Sequence, residues 1–174
     1  MKNITTFILF CTVSVFAQSP DFSKDVQEAM KKFASFSGKW EGKSWSLMQN
    51  GEKHSSNVSE NMQWKLDNSL IQIEGTGKTD EGKVVHHALA FLYFDVSQKK
   101  YKMQSHLVSG LTTEATFDVI EPNHKYEWWF EDGRGGTIKY KITIENNTWK
   151  EEGEYSRQGI QPAKFFEMNL TKIE

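Results

Sequence analysis

The chain is poor in the residues that hold small proteins together covalently or mark joints between domains. One cysteine in 174 residues excludes an intramolecular disulfide framework and any multi-cysteine zinc or iron–sulfur site. There are 3 prolines, and no linker, low-complexity tract or internal repeat breaks the chain, so one domain is enough. Arg134 and Arg157 are its only arginines. With a formal charge of −2 and a pI near 6.2, the chain offers no electrostatic footprint for nucleic acid. A content of 37% hydrophobic and 25% charged residues argues against both disorder and a membrane-spanning bundle. No nucleophile elbow, P-loop, Rossmann glycine set or H-E-x-x-H motif is present.

The longest apolar run stands at the start. Met1-Lys2-Asn3 gives a positive beginning, Ile4–Phe16 is uncharged and largely apolar, and Val15-Phe16-Ala17 offers a small residue for cleavage. This pattern predicts a secretory signal peptide, residues 1–17, and a protein exported to the periplasm or secreted. The run is shorter than the ~20 residues a spanning helix needs, so no membrane span is expected. Cys11 lies inside it, behind a bulky Phe10, which argues against lipid modification. Removing this segment takes away the only cysteine, so the exported chain must be held by core packing alone.

Aromatic side chains are plentiful: 12 Phe, 6 Trp and 5 Tyr. Residues 18–37 read as an N-terminal helix and lead-in, with Val26, Met30 and Phe33 on one apolar face and Gly38 as its end. From 38 to 174 the pattern is alternation punctuated by turn residues, such as Gln49-Asn50-Gly51-Glu52, Asp67-Asn68 and Asn146-Asn147. About ten short-linked strands predict an all-β fold, a single up-and-down antiparallel barrel, because closure removes the two exposed edges of an open meander. The Val84–Phe94 segment is apolar on both faces, so its outer face should be covered by the helix or by a second copy of the chain. A monomer and a homodimer are both compatible with this.

Gly38-Lys39-Trp40-Glu41-Gly42 forms a G-x-W-x-G start on the first strand. Trp64-Lys65-Leu66, Leu70–Gly75, His87–Ala90 and Tyr93-Phe94-Asp95 follow it. These residues resemble exported bacterial calycin-like barrels of unknown function, akin to lipocalins and nitrobindins, most clearly from Phe36 to about Tyr101. The resemblance implies a barrel with an internal cavity, with Gly38 and Gly42 permitting close turns and Trp40 plugging one end. In nitrobindin-type barrels the heme-binding histidine comes from the final part of the chain. Here the five histidines are His54, His86, His87, His106 and His124, so heme is disfavoured and no cofactor is expected.

Alternation places Trp45, Trp64, His106, Trp128 and Tyr155 as a cavity lining, with Tyr126 and Phe130 beside Trp128. Arg157 either packs over Trp40, as a late arginine does in lipocalin-like barrels, or holds a carboxylate at the cavity mouth. His87 and His106 share a face on adjacent strands and are the candidates for a general base. As a metal pair they lack an identified third ligand beyond Glu114, so no metal is expected. Among Glu60, Glu114, Glu127, Glu131, Glu151, Glu152 and Glu154 the sequence singles out no catalytic pair, and a solvated outer face accounts for such residues. The leading expectation is an interior site for a small, mostly apolar molecule. The alternatives are a cavity enzyme using a His base and a structural or interaction module without ligand.

Overall fold

The computed structural model describes residues 20–48 and 50–174; the expected signal peptide lies outside them. Helix α1 (Ser23–Met30) runs into a 3-10 turn at Lys31–Phe33. Ten strands follow: β1 (Gly38–Leu47), β2 (Lys53–Lys65), β3 (Leu70–Lys78), β4 (Val84–Asp95), β5 (Lys100–Leu107), β6 (Thr112–Glu121), β7 (Lys125–Glu131), β8 (Gly136–Glu145), β9 (Thr148–Arg157) and β10 (Ile160–Lys172). Each pairs antiparallel with its sequence neighbour, and β1 pairs with β10 to close the barrel. Among the described residues no helix is long and apolar enough to cross a membrane.

Turn chemistry sets the hairpins. Asn146 and Asn147 both take positive φ, 50° and 60°, which matches the twist of two tightly joined strands. Leu66 joins Asp67 and Asn68 in a turn with positive φ at all three. Strand β10 begins at Ile160. Its register with β9 shifts between Ile160 and Ala163, where Pro162 has no N–H to donate.

The helix does not lie on the outside of β4, as the sequence suggested. It crosses one end of the barrel and drives its apolar face inside. Phe33 and Phe36 are fully buried. The Phe33 ring stacks on Tyr126 at 5.1 Å and meets Tyr101 and Phe117 edge-on. The Tyr101 hydroxyl donates to the Ala29 carbonyl at 2.9 Å and the Tyr126 hydroxyl to that of Lys32 at 2.8 Å. These bonds satisfy carbonyls that the helix end leaves free. Leu89, Phe91 and Tyr93 on the outer face of β4 accordingly stay partly accessible.

Trp40 completes the plug. Its indole N–H donates to the Phe36 carbonyl at 2.9 Å, and its ring meets Trp149 edge-on at 5.7 Å. Gly42 leaves room for the strand closing the barrel: a Cβ there would sit 2.0 Å from the Asn169 carbonyl oxygen. Lys172, not Arg157, lies over Trp40, with its ammonium 5.3 Å from the ring centroid. Arg157 pairs with Gly136 at the opposite end and is exposed.

Candidate functional site

Strand pairing fixes which side chains face inward. Trp40 opposes Glu60, which opposes Gly75, which opposes Ala88. Tyr126 and Trp128 oppose Ile142 and Tyr140, which in turn oppose Glu151 and Gly153. The interior therefore falls into two halves. Beside the helix, Trp40, Ile71, Leu92, Phe117, Tyr126 and Leu170 are fully packed. Toward the other end, Val58, Glu60, Trp128, Phe130, Tyr140 and Phe166 face inward yet remain partly accessible. Side chains that point into a barrel and still touch solvent define a lumen open at the end away from the helix.

Two carboxyl groups enter this lumen, from β2 and from β9, with β1 and β10 between them. Glu151 is 6% exposed and is the one buried charged residue among the described ones. Its two oxygens accept from the Trp128 indole at 2.8 Å and the Trp149 indole at 3.1 Å. Burial raises its pKa to about 7, against the opposing pull of the two indole N–H groups. Glu60 accepts no hydrogen bond among the described residues. Burial, and then the nearby Glu151 charge, push it up to about 8. Its carboxyl occupies the space over Gly75, where an added Cβ would come within 2.5 Å of Oε1. Glycine at that position makes room for the acid.

An aromatic wall flanks the pair. Trp128 stacks face to face on Tyr140, centroids 3.9 Å apart and planes within 6°. Phe130 continues the stack at 6.1 Å, and Phe166 meets Tyr140 edge-on. Burial and the Glu151 charge hold the Tyr140 phenol well above its ordinary pKa, so it stays a neutral donor. At the mouth the Tyr155 hydroxyl donates to Asp132 at 3.2 Å. Asp132 also accepts the Arg134 and Gly136 amides, and these bonds lower its pKa.

The expected lining residues divide. Trp128 and Tyr155 face inward. Trp45 does not: it lies one residue out of phase with Trp40 and carries the Lys53 ammonium on its outer face, 3.9 Å from the ring centroid. Trp64 faces inward but at the plugged end, beside a depression of about 500 Å³ lined also by Gln27, Lys31 and Ala34. His106 opposes the outward-facing Leu89 and is exposed. His87 also points outward, 3.2 Å from Glu74. Their shared face is thus the outer one, and a cavity base at either position is ruled out by strand parity. His86 is the inward member of the pair, opposite Gly77, and burial lowers its pKa. Arg157 stands exposed at the mouth, away from Trp40.

Glu60 and Glu151 are the functional candidates that alternation could have found. Glu60 falls between Val58 and Met62 on the apolar face of its strand, and Glu151 is in phase with Trp149 and Gly153. Glu114, Glu127, Glu131, Glu152 and Glu154 have the opposite phase and lie outside. Among the described residues no group of three His, Cys, Asp or Glu side chains is placed to hold a metal ion. A second depression, about 600 Å³, runs over β1–β3 among Lys43, Asn57, Ser59 and Lys78 and includes neither acid.

Neither a protein-family model nor a curated protein matches the chain. Two solved structures share its architecture. The Rv2717c protein from M. tuberculosis aligns with a TM-score of 0.62 at 11% identity, covering 86% of this chain and 98% of that one. The S-type phycobiliprotein lyase CPES from Guillardia theta aligns at 0.53 and 14% identity, covering 89% and 99%. At such identities the likeness is one of fold, and that fold is the calycin-like barrel which the G-x-W-x-G start resembles.

Proposed function

We propose that this chain is an exported barrel protein that binds a small, mostly apolar molecule in its interior. The supporting observation is the contrast within the barrel. One half is plugged by aromatic rings, while the stacked Trp128, Tyr140 and Phe130 of the other half face inward and keep partly accessible surface. Such a site recognises ligands by shape and aromatic contact, with a few polar anchors. The S-type phycobiliprotein lyase with the same architecture supports ligand binding by such a barrel in general. No cofactor enters this reading.

Native mass spectrometry of protein recovered from its own host, with solvent extraction of the same sample, tests it. A co-purifying small molecule that competes with an apolar fluorophore is the expected result. A protein that carries nothing and leaves the fluorophore free would overturn the reading. N-terminal sequencing of the exported protein should begin at Gln18; recovery of the intact chain in the cytoplasm alone would remove the export proposal.

A further inference from the structure

The interior holds more acid than its own side chains compensate. Glu60 projects from β2 into the lumen. Its flanking strands place Trp40 and Gly75 opposite it, and neither carries charge. From β9 comes Glu151, already occupied by two indole donors, and from β8 the neutral Tyr140. Lys172 of β10 is engaged over the far side of the plug, on the Trp40 ring. Among the described residues a carboxylate there has neither a counter-charge nor a hydrogen-bond donor from the protein, and a partly desolvated charge of that kind is costly. The protein's own remedy is to keep Glu60 protonated near neutral pH.

A ligand can supply another. We infer that the interior site takes a small aromatic cation, its ring against Trp128 and Tyr140 and its protonated nitrogen paired with Glu60. This inference rests on the interior-binding reading above and names its ligand class. Three features fit this class together. Trp128, Tyr140 and Phe130 form a partly accessible aromatic wall, and such π-systems attract cations. Once ionised, the two acids give the lumen one sign of charge, which favours a cation and disfavours an anion. Among the described residues Glu60 has no hydrogen-bond partner to surrender, so a salt bridge to an ammonium costs no existing bond there. On binding, the Glu60 carboxylic acid loses its proton to solvent and the resulting carboxylate faces the ammonium. Affinity must then rise with pH up to about 8, where Glu60 is ionised without help.

The test is calorimetric titration of the full chain with matched probes. Phenyl, indolyl and naphthyl bodies would each carry an ethylamine, an ethanol or an acetate group. An amine is expected to bind about ten-fold or more tightly than the alcohol on the same body, as a charge-assisted hydrogen bond would give. The acetate should bind least. Amine affinity should gain up to about ten-fold per pH unit between pH 6 and 8, with proton release seen as buffer-dependent heat, while alcohol affinity stays flat. Glu60→Gln should bring the amine down to the level of the alcohol and abolish its pH dependence. Equal binding of amine and alcohol at every pH overturns the cation inference and leaves interior binding standing. Failure of all nine probes to bind overturns both. The wild-type pH profile decides the matter even if the variant misfolds.

Discussion

The two halves of the barrel use the same aromatic residues in opposite ways. At the plugged end, most ring pairs meet edge-on at close range, with Phe33 stacked on Tyr126, and the indole N–H of Trp40 is consumed by a backbone carbonyl. In the lumen, Trp128, Tyr140 and Phe130 stack in parallel and stay partly accessible, and the indole N–H of Trp128 is consumed by a carboxylate. Edge-on clusters fill volume in three dimensions, whereas a parallel stack presents one flat wall. An indole bonded to backbone is fixed by the fold, but an indole bonded to an acid shares that acid's titration. The difference separates a structural core from a chemically responsive surface, although both are built from Trp, Tyr and Phe.

The largest expected effect lies at the plug. Phe33 is fully buried and touches four other rings. Phe33→Ala should cost roughly 3–5 kcal/mol, the range for removing a buried aromatic ring. Urea denaturation measures it, and a cost below about 1 kcal/mol would show that the helix is an accessory and not the closure of the barrel.

The acid pair comes next, and its sign follows from linkage. Glu60 and Glu151 have pKa values raised above those of an unfolded chain, so the folded state binds more protons in the interval. Their contribution to stability is fully present below about pH 4.5 and is lost as pH rises through about 7 and 8. Glu60→Gln removes one of these titrations. The stability difference between variant and wild type should therefore grow by on the order of 2 kcal/mol from pH 5 to pH 8, in favour of the variant. A difference curve flat with pH would place Glu60 in contact with bulk water.

Trp128→Phe sharpens the same contrast from the aromatic side. It keeps the wall but removes one of two donors to Glu151, at a cost of about 1–2 kcal/mol. The cost should be greater at pH 8 than at pH 5, because the ionised carboxylate is the form that needs the donor. Equal costs at both values would make Trp128 a packing residue like those of the plug.

Most of the architecture was legible because a barrel repeats one simple rule. Turn residues marked the hairpins, alternation marked the strands, and Gly42 and Trp40 marked the closing strand. The site was less legible because phase must be carried from strand to strand. Trp45 looks like a lining residue until it is counted from Trp40, which puts it on the outer face. His86 and His87 are adjacent, so an error of one residue selects the wrong histidine. Glu60 and Glu151 were submerged in a sequence rich in acids, although their in-phase apolar neighbours distinguished them. The helix was misplaced for another reason: its apolar face fits either an outer wall or an open end, and periodicity does not choose between them. Only the joint fit of Phe33 and Phe36 among Tyr101, Phe117 and Tyr126 does.

The smallest effect distinguishes Lys172, which covers Trp40, from Arg157, which was expected there. Lys172 holds its ammonium 5.3 Å from the ring centroid, while Arg157 stands exposed at the far mouth. Lys172→Met keeps the apolar stem and removes only the charge, so it isolates the cation–π attraction, about 0.5–1 kcal/mol at a partly exposed site. Arg157→Ala should fall within about 0.5 kcal/mol of wild type, as surface changes away from packed features do. Chemical denaturation of the two variants side by side reads the difference, with Trp40 fluorescence responding to the first and not the second. Were the order reversed, the arginine and not the lysine would belong to the plug, and the assignment of the two ends would have to be exchanged.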